Sequence, residues 1–139
     1  MTERTPCIVL GATGYVGGEL LRLIAGHPGL ELHAATSDRQ FGNAIADQFP
    51  HLASHIDSNF VSTDGAMATL ATRQSAAVFS AAPHGAAAAT IAATLDAAEA
   101  AGTSVHIVDA SADFATPMPT PTQPSTAART VRQSDCRSL

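Results

Sequence analysis

The sequence predicts an α/β fold, specifically a Rossmann-like doubly wound parallel sheet. Between residues 7 and 109, short apolar runs typical of strands alternate with segments of helical periodicity. Such alternation is typical of a parallel sheet with helices on both faces. Three glycines spaced by three, Gly11, Gly14 and Gly17, separate the first strand from the first helix. In this pattern a helix N-terminus can face a bound pyrophosphate.

The first predicted unit is a strand, a turn, a helix and a second strand. We predict strands over Cys7–Leu10 and Leu30–Thr36, with a helix over Gly14–His27 between them. Pro28 cannot continue this helix, and Gly29 is predicted to supply a left-handed exit. The helix has one apolar face, formed by Val16, Leu20, Leu23 and Ile24. The second strand begins with alternating apolar and polar residues, which indicates a position at the sheet edge.

The later elements continue the alternation. Residues 38–58 are mixed and polar, so we predict a loop there with a short helix over Asn43–Gln48. Ala76–Ala81 is an unbroken apolar run, typical of a central parallel strand buried on both faces. The other predicted elements are a short strand over Asn59–Ser62, a helix over Asp64–Thr72, a helix over Ala86–Ala101 that stops at Gly102, and a strand over Val105–Asp109.

The character of the chain changes at Ala115. Four prolines follow closely, at Pro117, Pro119, Pro121 and Pro124, and no hydrophobic period comes after them. Such a segment buries too little apolar surface to offset its ordering entropy. We therefore predict one dinucleotide-binding domain over residues 1–114 and a disordered tail over residues 115–139.

Composition argues against several classes of function. The 139-residue chain carries a formal net charge of −5, whereas nucleic-acid binding needs clustered Lys and Arg. No apolar stretch approaches the roughly 20 residues that span a bilayer, and residues 1–6 lack the apolar core of a signal peptide. We therefore expect a cytoplasmic protein without a nucleic-acid or membrane partner.

The glycine turn is the candidate anion site. Gly11 can take the tight turn, Gly14 lets the backbone approach phosphate oxygens, and Gly17 lets the helix pack closely. Unpaired N–H groups and the positive end of the helix dipole would hold the anion. The predicted cofactor-binding residues here are Gly11, Ala12, Thr13, Gly14, Tyr15, Val16 and Gly17.

The loop after the second strand bears on the choice of cofactor. An NAD site has a carboxylate there for the ribose 2′-hydroxyl, whereas an NADP site has hydroxyl and guanidinium donors for the 2′-phosphate. Thr36, Ser37 and Arg39 provide such donors, and Asp38 provides a carboxylate. We favour NADP, with NAD and a polar loop without ligand as the alternatives.

Two further loops are expected at the same edge of the sheet, because the strands are predicted to be parallel. Pro83, His84 and Gly85 would line the ribose or nicotinamide half of a cofactor, or would only shape a helix start. Asp113 would orient a substrate group or cap a turn.

The cysteines and the other histidines predict no catalytic residue and no metal site. Cys7 lies inside the first strand and is expected to be a buried, inert thiol. Cys136 lies in the tail with nothing to hold it against a base, whereas a catalytic thiol needs a lowered pKa and a fixed pose. Metal-ligand spacing is absent from the remaining histidines, which are His27, His33, His51, His55 and His106.

Taken in order, these segments resemble the N-terminal half of the N-acetyl-γ-glutamyl-phosphate reductase family. The resemblance covers residues 6–114. It rests on Gly11–Leu23, His27-Pro28, Thr36-Ser37, Phe49–Leu52, Ala82–Gly85 and Asp109–Phe114. The glycine run also fits aspartate-semialdehyde dehydrogenase, a relative with the same chemistry, but the segments around His84 and Ala112 favour the reductase.

The resemblance implies an NADPH-dependent reductase of the arginine pathway. In this family a cysteine thiolate attacks an acyl phosphate to form a thioester, phosphate leaves, and hydride transfer releases the semialdehyde, while a histidine handles the protons. The resemblance also implies that Ser37, Arg39 and Pro83–Gly85 hold the cofactor together with the glycine turn. Ser111 to Asp113 would lie near the reactive end of the cofactor.

The sequence departs from the family after Phe114. The family continues with arginine and a substrate domain whose cysteine stands in a Gly-Cys-aromatic-Pro setting, which Ser134–Arg137 does not match. We expect a fragment that has the cofactor pocket without the catalytic cysteine and histidine, arising from truncation or a frameshift near codon 115. An acyl-phosphate substrate is expected only where a substrate domain is present, and a homo-oligomer is a candidate assembly. The alternative is a non-catalytic nucleotide-binding module that acts with a partner.

Overall fold

The computed structural model describes residues 3–83 and 85–110, together with the backbone of residues 129–132. Its centre is a sheet of four parallel strands: β1 (Thr5–Leu10), β2 (Leu30–Ala35), β3 (Ser75–Ser80) and β4 (Ser104–Asp109). Their order is β2-β1-β3-β4, so β2 lies at the edge and β3 is central, as the sequence predicts. The predicted Rossmann-like class is confirmed.

Helices connect the strands and lie on both faces of the sheet. Helix α1 (Tyr15–Ala25) joins β1 to β2, and α4 (Ala87–Ala101) joins β3 to β4. The connection from β2 to β3 contains α2 (Ile45–Gln48), a 3₁₀ turn (Pro50–Leu52) and α3 (Thr63–Ala71). None of the helices within residues 3–83 and 85–110 is long and apolar enough to cross a membrane.

The alternation of side chains along β1 divides the core into two clusters. Ile8 and Leu10 pack with residues of α3 and α4 on one face, while Cys7 and Val9 pack with α1, α2 and the 3₁₀ turn on the other. All four side chains are at most 1% exposed. Successive strand residues point to opposite faces, so this burial requires helices on both sides of β1.

Strand β3 differs from its prediction on one face. Ala76 and Val78 are buried beneath α3 and α4, but Ala77 and Phe79 on the opposite face are only half-buried. Among the described residues, α1 and the α2 region cover that face mainly over β1 and β2. The expectation of a strand buried on both faces is therefore wrong for this part of the sheet.

Helix α1 ends two residues earlier than predicted, and its C-cap differs from the predicted one. Its C-cap is Gly26 in a right-handed conformation, with φ of −92°. Gly29 does not have a positive φ, so the predicted left-handed exit is wrong. By contrast, α4 stops at Gly102 with φ of +73°, as predicted.

The predicted strand over Asn59–Ser62 is reduced to two isolated bridges. Val61 pairs with Thr36 in parallel, and Asn59 pairs with Ala44 in antiparallel orientation. The amide of Val61 donates to the carbonyl of Ala35 at 3.0 Å, which covers the outer edge of β2 at its carboxyl end. The segment therefore extends the sheet at this corner without forming a strand.

Most of the predicted tail, residues 115–139, lies outside the described residues. Arg129–Arg132 form a fifth strand, β5, antiparallel to β4, with Asp109 opposite Arg129 and His106 opposite Arg132. The sequence predicts no regular structure for these four residues, so the structure differs from the prediction here. An antiparallel partner supplies hydrogen bonds to the backbone groups at the outer edge of β4, and this pairing does not require a buried side-chain face.

Candidate functional site

The carboxyl ends of the parallel strands bring three loops together at Gly11. The amide of Gly11 donates to Oγ1 of Thr36 at 3.0 Å, and the amide of Ala12 donates to the carbonyl of Thr36 at 2.9 Å. On the other side, the amide of Ala81 donates to the carbonyl of Leu10 at 2.8 Å. Strand β2 lies on one side of β1 and β3 on the other, so these loops border the topological switch point, where open α/β sheets bind ligands.

Gly11 occupies a position that favours glycine for two reasons. Its φ is +65°, in the left-handed region. A Cβ atom there would also lie 2.8 Å from Cα of Ala82, in the loop after β3. The predicted tight turn is therefore present, and it brings the loops after β1 and β3 into backbone contact.

The N-terminus of α1 carries donors that the protein does not use. The N-cap is Gly14, with φ of −86° and ψ of −177° and no side chain to cap the helix. Within the described part of the chain, the amides of Tyr15, Val16 and Gly17 have no hydrogen-bond acceptor. A Cβ added at Gly14 would meet no atom beyond its chain neighbours within 4 Å, so the turn is open on the side where that Cβ would lie. Open amides at the positive end of a helix dipole form an anion site.

Gly17 permits the close packing on which this geometry depends. A Cβ at Gly17 would lie 2.5 Å from both the carbonyl carbon and the oxygen of Ala12. Ala12 itself is fully buried, so it can contribute to a ligand site only through its backbone. Tyr15 and Val16 project outward instead, with 99% and 49% of their surfaces exposed.

The loop after β2 divides its predicted donors into buried and exposed groups. Thr36 is 3% exposed, and its hydroxyl oxygen accepts from Gly11, so it supports the turn rather than facing a ligand. Ser37 is also buried, and its Oγ accepts from the amide of Gln40 at 3.1 Å. Asp38 and Arg39 are exposed, and neither forms an ion pair with another described residue.

The loop after β3 supplies the other wall of the crevice. Pro83 and Gly85 are exposed, and Gly85 has φ of +84°. The carbonyl of Pro83 accepts from the amide of Ala86 at 3.1 Å, which closes a turn just before α4. His84 and Ser111, together with Asp113, are predicted site residues that lie outside the described residues.

The segment from Ile45 to Leu52, which we call the α2 segment, has no site role predicted from the sequence. The side chain of Gln48 donates from Nε2 to the carbonyl of Thr13 at 3.3 Å. The ring of Phe49 packs against Gly18, and its Cε1 lies 2.6 Å from the position that a Cβ of Gly18 would occupy. An open groove of about 640 Å³ lies between this segment and the start of α1. The only sequence signal was the Phe49–Leu52 motif, which carried no assigned chemistry.

Cys7 is unsuited to nucleophilic chemistry. It is fully buried in β1, and its thiol donates to the carbonyl of Thr5 at 3.4 Å. Burial raises the pKa of the Cys7 thiol above its ordinary value, which disfavours the thiolate that would react. Cys136 lies outside the described residues. The expectation that Cys7 is buried is confirmed.

The fold and the turn together define a nucleotide-binding domain of the Rossmann type. The chain belongs to the family "Semialdehyde dehydrogenase, NAD binding domain", whose model matches residues 7–122. The predicted membership of the semialdehyde dehydrogenase family is thereby confirmed.

Curated relatives named N-acetyl-gamma-glutamyl-phosphate reductase match this chain over part of their length. The chain is 48% identical over 106 residues to N-acetyl-gamma-glutamyl-phosphate reductase of Acidothermus cellulolyticus and 41% identical over 106 residues to that of Herminiimonas arsenicoxydans. Each match covers 76% of this chain and 28% of the relative. The reductase of Rhodospirillum rubrum is 42% identical over 114 residues, which cover 82% of this chain and 31% of that protein. The chain therefore spans less than a third of the length of these relatives.

Solved structures support the fold independently. The crystal structure of RSP, a Rex-family repressor, matches with a TM-score of 0.57 at 17% identity, over 86% of this chain and 50% of that one. RSP in complex with beta-NAD+ and operator DNA matches with a TM-score of 0.56 at 16% identity, over 86% and 48% of the two chains. At this level of identity, the likeness concerns the fold alone.

Proposed function

We propose that this chain binds NADP and is the cofactor-binding part of an NADP-dependent N-acetyl-γ-glutamyl-phosphate reductase of arginine biosynthesis. The observation that carries the proposal is the uncapped N-terminus of α1, which opens onto the switch point with unused amides. The names of the relatives supply the reaction. On the same basis we propose the cytoplasm as its compartment.

The order of the strands orients the proposed cofactor. With its pyrophosphate at Gly14–Gly17, the adenosine half extends over the end of β2, toward Ser37 and Arg39. The nicotinamide half then extends in the opposite direction, over β3 and β4. Pro83 and Gly85 would line it, and we propose that the predicted site residues His84 and Ser111, which lie outside the described residues, contact it near the acyl carbon that would receive the hydride.

The preference for NADP depends on Arg39. Its guanidinium is exposed and pairs with no described carboxylate, so it is available to a 2′-phosphate. Ser37 is 7% exposed and its oxygen accepts from the amide of Gln40, so its hydroxyl hydrogen remains for a phosphate that closes onto this loop. Asp38 carries the opposing charge, and its exposed position lets it turn away from a phosphate.

The complete reduction requires a thiol that the described residues do not offer, since Cys7 is buried with a raised pKa. We propose that turnover belongs to a polypeptide in which a substrate-binding part accompanies this domain, in line with the length of the relatives. The 139-residue chain alone should then bind NADPH without reducing an acyl phosphate.

The test is a fluorescence titration of the purified chain with NADPH and with NADH. A charge-assisted contact is worth about 1.5–3 kcal/mol, so Arg39→Ala should weaken NADPH binding by about tenfold or more and leave NADH binding unchanged. The control is Arg4→Ala, at the opposite end of the sheet. Absence of NADPH binding by the wild-type chain would refute the proposal. Equal loss of both cofactors in Arg39→Ala would refute the role of Arg39.

A further inference from the structure

We infer that Gln48 is a positioning residue that fixes the direction of the Gly14 amide in the glycine turn. This inference rests on the proposed function, because it concerns how the same turn meets a cofactor diphosphate. It assigns a role to the α2 segment, which contacts the turn from a different part of the chain.

The contact from Gln48 acts on one peptide unit of the turn. The carbonyl of Thr13 and the amide of Gly14 belong to the same planar trans peptide, in which C=O and N–H point in opposite directions. Nε2 of Gln48 donates to that carbonyl at 3.3 Å. A carbonyl held toward Gln48 directs the Gly14 N–H to the other side of the turn, away from the α2 segment.

The hydrogen bond from Gln48 restricts rotation of the peptide between Thr13 and Gly14. Gly14 has no Cβ, and nothing lies within 4 Å of the place where one would be. A glycine so exposed has a wide choice of backbone angles. Among the described residues, Gln48 provides the side-chain contact to this peptide. Without it, the peptide could rotate and turn its carbonyl oxygen toward a bound phosphate.

The α2 segment, which carries Gln48, is held rigidly in the core. Ile45 is fully buried and Leu52 is 2% exposed, so the α2 segment is fixed in the core at both ends. The amide of Ile45 donates to the carbonyl of Ser58 at 3.0 Å. Phe49 packs its ring directly against Gly18 of α1. Gln48 therefore reaches the turn from a support that is itself attached to the helix behind the turn.

The experiment compares two ligands that differ at the diphosphate. NADPH contains the diphosphate. By contrast, 2′-phosphoadenosine has no 5′-phosphate and would contact only the loop after β2, at Ser37–Arg39. Loss of one neutral hydrogen bond corresponds to about a fivefold change in binding, so Gln48→Ala should weaken NADPH by about that factor and leave 2′-phosphoadenosine unchanged. Gln48→Glu should weaken NADPH further, because a carboxylate cannot donate and repels the diphosphate. Gln74→Ala, at the amino end of β3, is the matched control.

A second measurement detects the same effect without a ligand. In the free protein, the backbone order parameter of Gly14 should fall in Gln48→Ala, while that of Gly11 is unchanged. Unchanged NADPH binding in Gln48→Ala, or equal weakening of both ligands, would overturn the inference while leaving NADP binding intact. A wild-type chain that binds neither ligand would overturn the proposed function as well.

Discussion

Replacing Gly17 with alanine tests how the glycine turn and α1 are joined. The added Cβ would lie 2.5 Å from the carbonyl carbon and oxygen of Ala12, whereas ordinary carbon contacts begin near 3.4 Å. The neighbouring atoms are backbone atoms of a fully buried residue, so no side chain can rotate away. Relief requires α1 to move from the turn by nearly an ångström.

The expected cost follows from two opposing terms. Overpacking of a well-packed core costs about 1–3 kcal/mol, and replacing a helical glycine with alanine returns about 0.5–1 kcal/mol. The net loss should be about 1–2 kcal/mol in the free energy of unfolding. For a domain of this size that corresponds to a fall in Tm of about 4–9 °C.

The assay is urea and thermal denaturation followed by far-UV circular dichroism, because the chain has no tryptophan and its single tyrosine is fully exposed. Gly14→Ala is the control, since a Cβ there meets nothing within 4 Å and its φ and ψ suit any residue. We expect Gly14→Ala to unfold like the wild type but to bind NADPH more weakly, because its methyl group enters the open space before the amides. A Gly17→Ala protein as stable as Gly14→Ala would refute this account of the turn.

Two further predictions concern the support of the turn and its response to acid. Thr36→Val keeps the shape of Thr36 but removes the acceptor for the Gly11 amide, so unfolding free energy should fall by about 1 kcal/mol in urea titrations. Thr36→Ser should retain most of that stability, and equal loss in both variants would contradict the role of the hydroxyl. The hydrogen bond and charge of Arg22 hold the pKa of the Glu19 carboxyl below its usual range. The stability that this ion pair adds is therefore fully present above the ordinary glutamate pKa. It is lost as the pH falls through the lowered pKa of Glu19. Glu19→Gln should therefore lose less stability than the wild type between neutral pH and the acid range, and parallel urea midpoints across that range would contradict it.

The first βαβ unit could be predicted closely because its signals are local. The apolar run before Gly11 and the helical period after Gly14 are each read within a few residues, although α1 ends at Ala25, before the predicted breaker at Pro28. The predicted roles of Gly11 and Gly17 match the positive φ of the one and the close approach of the other. Local backbone restrictions and side-chain periodicity are properties of the sequence itself.

Other parts of the site could not be predicted because they depend on distant residues. Thr36 looks like a ligand donor in the sequence, but the pairing of β1 with β2 places its hydroxyl under Gly11, 25 positions earlier in the chain. Gln48 lies in a polar stretch with no periodicity, and its contact with Thr13 spans 35 positions. Loop conformations of this length are not specified by local propensity.

The sequence by itself determined the class of fold and the glycine turn, since these follow from backbone restrictions and periodicity. The predicted apolar face of α1 is wrong at Val16 and Leu23, which are exposed, because the residues that this helix buries are Gly17, Gly18, Leu21 and Ile24. Only the tertiary structure decided which donors face open space and which support the turn. It also decided that Ala77 and Phe79 are half-buried, and that residues 129–132 pair with β4. Burial and long-range hydrogen bonding depend on which elements pack together, and that packing brings together residues that the sequence holds far apart.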